Sequence, residues 1–313
     1  MKKIPALLLL VVLLLVGCSV AGVSDTPSTQ AESVEENEKI PDIVQSTPKE
    51  TSEEAVAPKT RTKKRSPAPL DEQIEDLLDE YMVDPAAVTY VITDLSTKES
   101  FRLNDQEEFI GASLYKLPLA MLYYDEFQAG QIEPEDTIMY EDWMYEEGPL
   151  ENEIEPGDLV TIENLLYSLI VYSDNISGHM LYSYYGGWEY MRESALAYTE
   201  EEAYPNYYSG DNYLTADYMN DVLGYLYQHP SRYANLLDLM AQAEPEDFLN
   251  ASLYGHTYQK IGYLDDMSGG AGLVLNDRPY SIVVMTYLGD LGRPIMGEIN
   301  RIAYEYFNQM NED

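Results

Sequence analysis

The chain has 313 residues, of which 56 are Asp or Glu and 18 are Lys or Arg, for a net charge of −38. Residues 1–70 carry nine groups of each sign, so the whole imbalance falls on residues 71–313. A surface that acidic repels a phosphate backbone and excludes nucleic acid as a partner, and a single cysteine, Cys18, excludes both an internal disulfide and a thiolate metal centre.

Lys2 and Lys3 precede an apolar run from Ile4 to Val16, interrupted only by Pro5. At 13 residues it is too short to span a bilayer as a helix and suits the core of a secretory signal. The ending Leu15-Val16-Gly17-Cys18 resembles the lipobox of bacterial lipoproteins, which implies cleavage before Cys18 and lipid on its thiol. Residues 1–18 are therefore expected to be a lipoprotein signal, and the mature chain to be lipid-anchored outside the cytoplasm at the bacterial cell membrane. Residues 19–70 are rich in Ser, Thr, Pro and Glu without helical or strand periodicity, and read as a disordered tether. The basic run Lys59 to Arg65 near its end is read as solvated linker.

The domain opens with Ile74, Leu77 and Leu78 at helical spacing over 71–81. Strands are predicted at 88–93 and 99–103 about a turn at 95–98. Helices follow at 113–129, ending at Gly130, at 161–171 with Thr161 as N-cap, and at 176–185, 215–228 and 233–243. Strands return at 258–264, 271–275 and 280–288, with Asn276 to Pro279 as a hairpin connection, and a helix closes the chain over 297–308. This order predicts an α+β fold in three α/β/α layers. A five-stranded antiparallel sheet is flanked by the terminal helices and carries an all-helical insertion over about 112–245.

Residues 71–313 contain only three lysines, Lys98, Lys116 and Lys260. Two of them fall in motifs that make chemical sense together. Ser113-Leu114-Tyr115-Lys116 is an S-x-x-K at the start of a predicted helix, Ser173-Asp174-Asn175 an S-x-N between two helices, and Lys260-Ile261-Gly262 a K-x-G on a predicted strand. Each string is weak alone, since Ser46 to Lys49 also spells S-x-x-K within the tether; order and context give the set its weight. A serine needs a base to become a nucleophile. One helical turn brings Lys116 back to the face of Ser113. To act as that base Lys116 must be neutral, and moving an amine from a pKa near 10.4 to 7 costs roughly 4.6 kcal/mol. Burial and the second cation, Lys260, are expected to supply it.

This domain resembles the class A β-lactamase and penicillin-binding-protein superfamily over nearly all of 71–313. Val171 to Ser177 with Gly186-Gly187, Asp158 to Leu166, and Pro279 to Thr286 carry the likeness beside the three motifs. The resemblance implies a serine hydrolase in which Ser113 is acylated, Lys116 is its base and Ser173 passes a proton to the leaving nitrogen. Asn175 would hold the substrate's amide, Lys260 would attract its carboxylate, Gly262 would let it lie against the strand, and the N–H groups of Ser113 and Tyr263 would form an oxyanion hole. The substrate would be a β-lactam or the D-alanyl cell-wall peptide it mimics, handled by a monomer without cofactor or metal. The other reading is a wall-binding lipoprotein with little or no turnover.

Two departures stand out. Ile261 replaces the hydroxyl residue of the family's K-[TS]-G, and no arginine lies on the strand predicted next, Arg278 being in the turn, so carboxylate binding is weakened. The family's loop glutamate, four residues ahead of an asparagine, has a counterpart in spacing at Glu202 and Asn206, in a short loop where Glu200 to Glu202 are consecutive. Glu202 is expected to be poorly aligned and deacylation slow. His179, His229 and His256 make no metal spacing, and His179 is read as structural. No G-x-S-x-G elbow is present. Tyr207, Tyr208 and Tyr213 are candidates to line a cleft.

Overall fold

The computed structural model describes residues 68–309; the signal, Cys18 and almost all of the tether lie outside the described residues. Helix α1 (Leu70–Glu80) buries Leu70, Ile74, Leu77 and Leu78, the stripe expected from its spacing. Strand β1 (Val88–Asp94) pairs with β2 (Ser100–Leu103) around a turn in which Asp94 Oδ1 accepts from the N–H groups of Ser96 and Thr97 at 2.8 and 3.0 Å. The C-terminal strands are β7 (Tyr258–Leu264), β8 (Met267–Val274) and β9 (Tyr280–Thr286). All five form one antiparallel sheet in the order β2-β1-β9-β8-β7, which leaves β7 on an edge.

One face of the sheet is covered by α1 and the closing helix α8 (Gly292–Gln309), which pack on each other around Val284, Ile295, Met296 and Ile299. On the other face lies α6 (Ala216–Gln228), packed on β1, β8 and β9. With it stand α2 (Lys116–Ala129), α3 (Ile162–Val171), α4 (Asn175–Tyr184), α5 (Trp188–Ala195) and α7 (Ala234–Met240). Strands β1, β8 and β9 are buried along their whole length because both faces are covered.

Four details differ from expectation. Strand β8 begins at Met267 rather than 271, because Ser268, Gly269 and Gly270 resemble a loop in composition yet pack tightly. A Cβ on Gly270 would stand 2.8 Å from Leu249 Cγ. Helix α8 begins at Gly292 rather than 297, since Pro294 lies in its first turn, where a missing N–H costs nothing. Helix α5 was not expected at all. The insertion also holds two short ladders, β3 (Phe109–Ile110) with β6 (Tyr213–Leu214) and β4 (Thr137–Met139) with β5 (Leu159–Thr161), too short to show a period.

Candidate active site

Ser113 does not open the α-helix. It lies in a tight 3-10 turn, Ala112–Tyr115, and α2 begins only at Lys116. Ala112 before it is held in the left-handed region at φ 43°, an unfavourable conformation for a residue with a Cβ. The restraint comes from Asn212. Gly111 donates its N–H to Asn212 O at 2.7 Å, and the Asn212 side-chain amide donates to Ala112 O. Asn212 is fixed in turn by Arg192 of α5, which donates to Asn212 Oδ1 at 3.0 Å, Tyr207 O at 2.9 Å and Tyr213 O at 3.1 Å. The guanidinium stacks 3.8 Å above the Tyr207 ring and is 1% exposed.

Ser173 occupies the link between α3 and α4 with φ 56°. Fully buried Asp174 caps α4, its Oδ1 accepting from Ser177 N–H at 2.6 Å and its Oδ2 from Leu150 N–H at 3.0 Å. That cap fixes the S-x-N segment against the adjacent loop. Asn175, exposed at the start of α4, accepts from Lys116 at Oδ1 and donates from Nδ2 to Glu147 O at 3.0 Å.

Ser173 stands between the two amines. Lys116 Nζ donates to Ser173 O and Asn175 Oδ1, each at 2.6 Å. Lys260 Nζ donates to Ser173 Oγ at 2.8 Å and to Ile261 O at 2.7 Å. Among the described residues no hydrogen bond joins Lys116 to the Ser113 hydroxyl, so the pairing anticipated from one helical turn is replaced by bonds to the S-x-N segment. Gly178 of α4 makes room for this path, since a Cβ there would lie 2.6 Å from Tyr115 Oη and 3.3 Å from Lys116 Cε.

Both lysines are 0% exposed. Burial pulls Lys116 down to about 7 against the opposing attraction of Asp174 and Glu146. Burial also takes Lys260 well below its ordinary value, and the nearby Lys116 charge pushes it further. Dehydration, rather than the second cation, is thus the main cause of the shift at Lys116.

Strand β7 supplies the opposite wall. A Cβ on Gly262 would come within 2.8 Å of Gly111 O and 2.9 Å of Ser113 N, so only glycine lets the strand lie against the serine turn. Tyr263, next along, is 59% exposed. Ile261 turns into the apolar cluster under α8, so the missing hydroxyl leaves no hole in the core.

The loop candidates separate. Glu202 is exposed, and Asn206 donates to Glu108 Oε2 at 2.6 Å. Its neighbour Glu201 is the partly buried one, accepting from Gln106 at 3.1 Å, and burial and then the neighbouring Asp217 raise its carboxyl to about 7. Tyr207 belongs to the core at 0% exposure and lines no cleft, whereas Tyr208 is exposed and Tyr213 half-buried. His179 lies one turn beyond Asn175, stacked on Tyr182 at 5.0 Å and edge-on to Trp143 at 5.3 Å. Sequence reasoning missed Arg293. It sits at the start of α8, pairs with Asp247 at 3.0 Å and stacks over Phe248 and Tyr263 at 4.6 and 5.1 Å. Its sequence signal is slight, an arginine beside Pro294 ahead of the helix predicted over 297–308.

A family model described as the beta-lactamase enzyme family matches residues 69–307. Among solved structures, PBP-A aligns with a TM-score of 0.67 at 17% identity, covering 77% of this chain and 96% of that one. A variant of PBP-A, solved as an acyl-enzyme complex with penicillin G, aligns at 0.68 and 19%, covering 77% and 96%. A beta-lactamase from Sphaerobacter thermophilus aligns at 0.65 and 19%, covering 76% and 98%. No curated protein matches.

Proposed function

The chain belongs to the beta-lactamase enzyme family, and from that premise we propose that it forms an acyl-enzyme on Ser113 with a β-lactam or a D-alanyl cell-wall peptide. The observation that carries the reading is Ser173 suspended between Lys116 and Lys260 beside the Ser113 turn. Neutral Lys116 leaves one of its two acceptors and takes the Ser113 proton. The Ser113 oxygen then bonds to the carbonyl carbon, the C–N bond breaks, and the nitrogen receives a proton through Ser173 Oγ. The N–H groups of Ser113 and Tyr263 receive the developing oxyanion. Arg293 beside Tyr263 offers the substrate carboxylate the arginine absent from the strand.

Release of the ester needs a base aligned on water. Exposed Glu202 does not offer one, which favours a stable acyl-enzyme over rapid hydrolysis. The lipobox at Cys18 supports placement outside the cytoplasm on a membrane-bound tether, within reach of such substrates. Fluorescent penicillin on denaturing gels tests the reading. Wild type is expected to label and Ser113→Ala not; equal labelling of both, or labelling of neither with any acylating probe on folded protein, contradicts it.

A further inference from the structure

A second cleft, of about 480 Å³, opens between the β1–β2 turn, the segment after α5, and α6, and no residue assigned above to the Ser113 site lines it. Its floor is Asn220, 8% exposed, whose Oδ1 accepts from Ser281 Oγ at 2.8 Å. Among the described residues its Nδ2 has no acceptor, although the side chain lines the cleft. The amide thus keeps donors for a ligand in the cleft.

Gly224, one turn along α6, borders the same cleft. Glycine is unfavourable inside a helix, and packing does not require it here, because a Cβ would meet nothing within 4 Å. What this glycine preserves is open volume. Lys98 stands on the rim in the left-handed conformation, at φ 67°. It is the one lysine of 71–313 that the Ser113 site leaves unused, and among the described residues it has no ion-pair partner. Asp221 of α6, also in the lining, accepts at Oδ2 from Thr199 Oγ1 at 2.7 Å and from Glu200 N–H at 3.4 Å, and its Oδ1 makes no hydrogen bond among the described residues. Lys98, the Asn220 amide and the Asp221 carboxylate give the lining groups of both signs.

We propose that this cleft binds a small zwitterion, an amino acid or dipeptide, with its carboxylate on Lys98 and Asn220 and its ammonium on Asp221. The site stands apart from acylation at Ser113. Calorimetric titration of full-length Ser113→Ala protein with D-alanyl-D-alanine is the test. Saturable binding is expected, about tenfold weaker or worse when Lys98→Ala or Gly224→Leu is added, and retained when Lys260→Met is added instead. Should Gly224→Leu fail to fold, Lys98→Ala and Gly224→Ala in the same background decide, the first weakening binding and the second narrowing the cleft with a smaller loss. Absence of binding at millimolar dipeptide, binding indifferent to Lys98→Ala, or acetate binding as well as the dipeptide would each overturn the proposal.

Discussion

Ser173 Oγ and Lys260 Nζ are joined at 2.8 Å across the cleft between the helical insertion and the edge of the sheet. Neither element alone makes a site. The bond brings the S-x-N segment of the insertion onto β7, and Gly262 on that strand closes against the Ser113 turn. Replacing Ser173 by Ala should lower the acylation rate by about two to four orders of magnitude, the usual weight of a positioned proton-transfer group. Stopped-flow measurement with a chromogenic cephalosporin checks it, and a loss under tenfold would remove Ser173 from the proton path.

The pH dependence has a definite sign. As the proposed base Lys116 must be neutral, and burial pulls its amine down to about 7. Acylation should therefore rise with pH through that region and level off above it. A rate flat from pH 5 to 9, measured as single turnover, would show that Lys116 is not the base.

Burying those amines weakens the fold. In the unfolded chain Lys116 has its ordinary value, 10.5, against about 7 when folded. The unfolded state then binds more protons between these values, so stability rises with pH across that window, and the penalty is fully present below 7. Lys116→Met should abolish acylation yet melt no lower than wild type at pH 7, with its relative advantage shrinking toward pH 10. Thermal unfolding at the two pH values tests this; a large destabilisation at pH 7 would mean the hydrogen bonds to Ser173 and Asn175 outweigh dehydration.

Lys116 and Lys260 stood out because lysine is so scarce in an acidic domain, and the five strands of the sheet could be placed from their apolar runs. The hold on Ala112 could not. Arg192 and Asn212 are far from Ser113 in sequence, and their contacts are mostly to backbone oxygens, which leave no side-chain pattern. Glu202 shows the opposite limit. Its spacing to Asn206 was right, but spacing in a loop does not set direction, and the partly buried carboxylate is its neighbour Glu201.

Asn212→Ala removes the amide that holds Ala112 O and leaves Arg192 short of one buried acceptor. A loss of about 1–3 kcal/mol of stability is expected, together with slower acylation, because the serine turn loses its restraint. Chemical denaturation with parallel acylation kinetics checks both. A fall in stability with unchanged acylation would confine Asn212 to a structural role.

Gly224→Ala should stabilise the protein by up to about 1 kcal/mol, since α6 gains helix propensity and the new methyl meets nothing within 4 Å. A lower melting temperature would show that the cleft wall is packed more tightly than the geometry indicates.

A stable ester on Ser113 is read out by a time course of intact mass with peptide mapping after mixing with penicillin G. One equivalent of acylated protein should form in a burst, map to the peptide holding Ser113, and decay slowly at a rate that Glu202→Gln leaves nearly unchanged. Rapid turnover without accumulation in wild type, with acylated protein trapped only in Glu202→Gln, would contradict this account and identify a fast hydrolase whose loop glutamate is aligned on the ester.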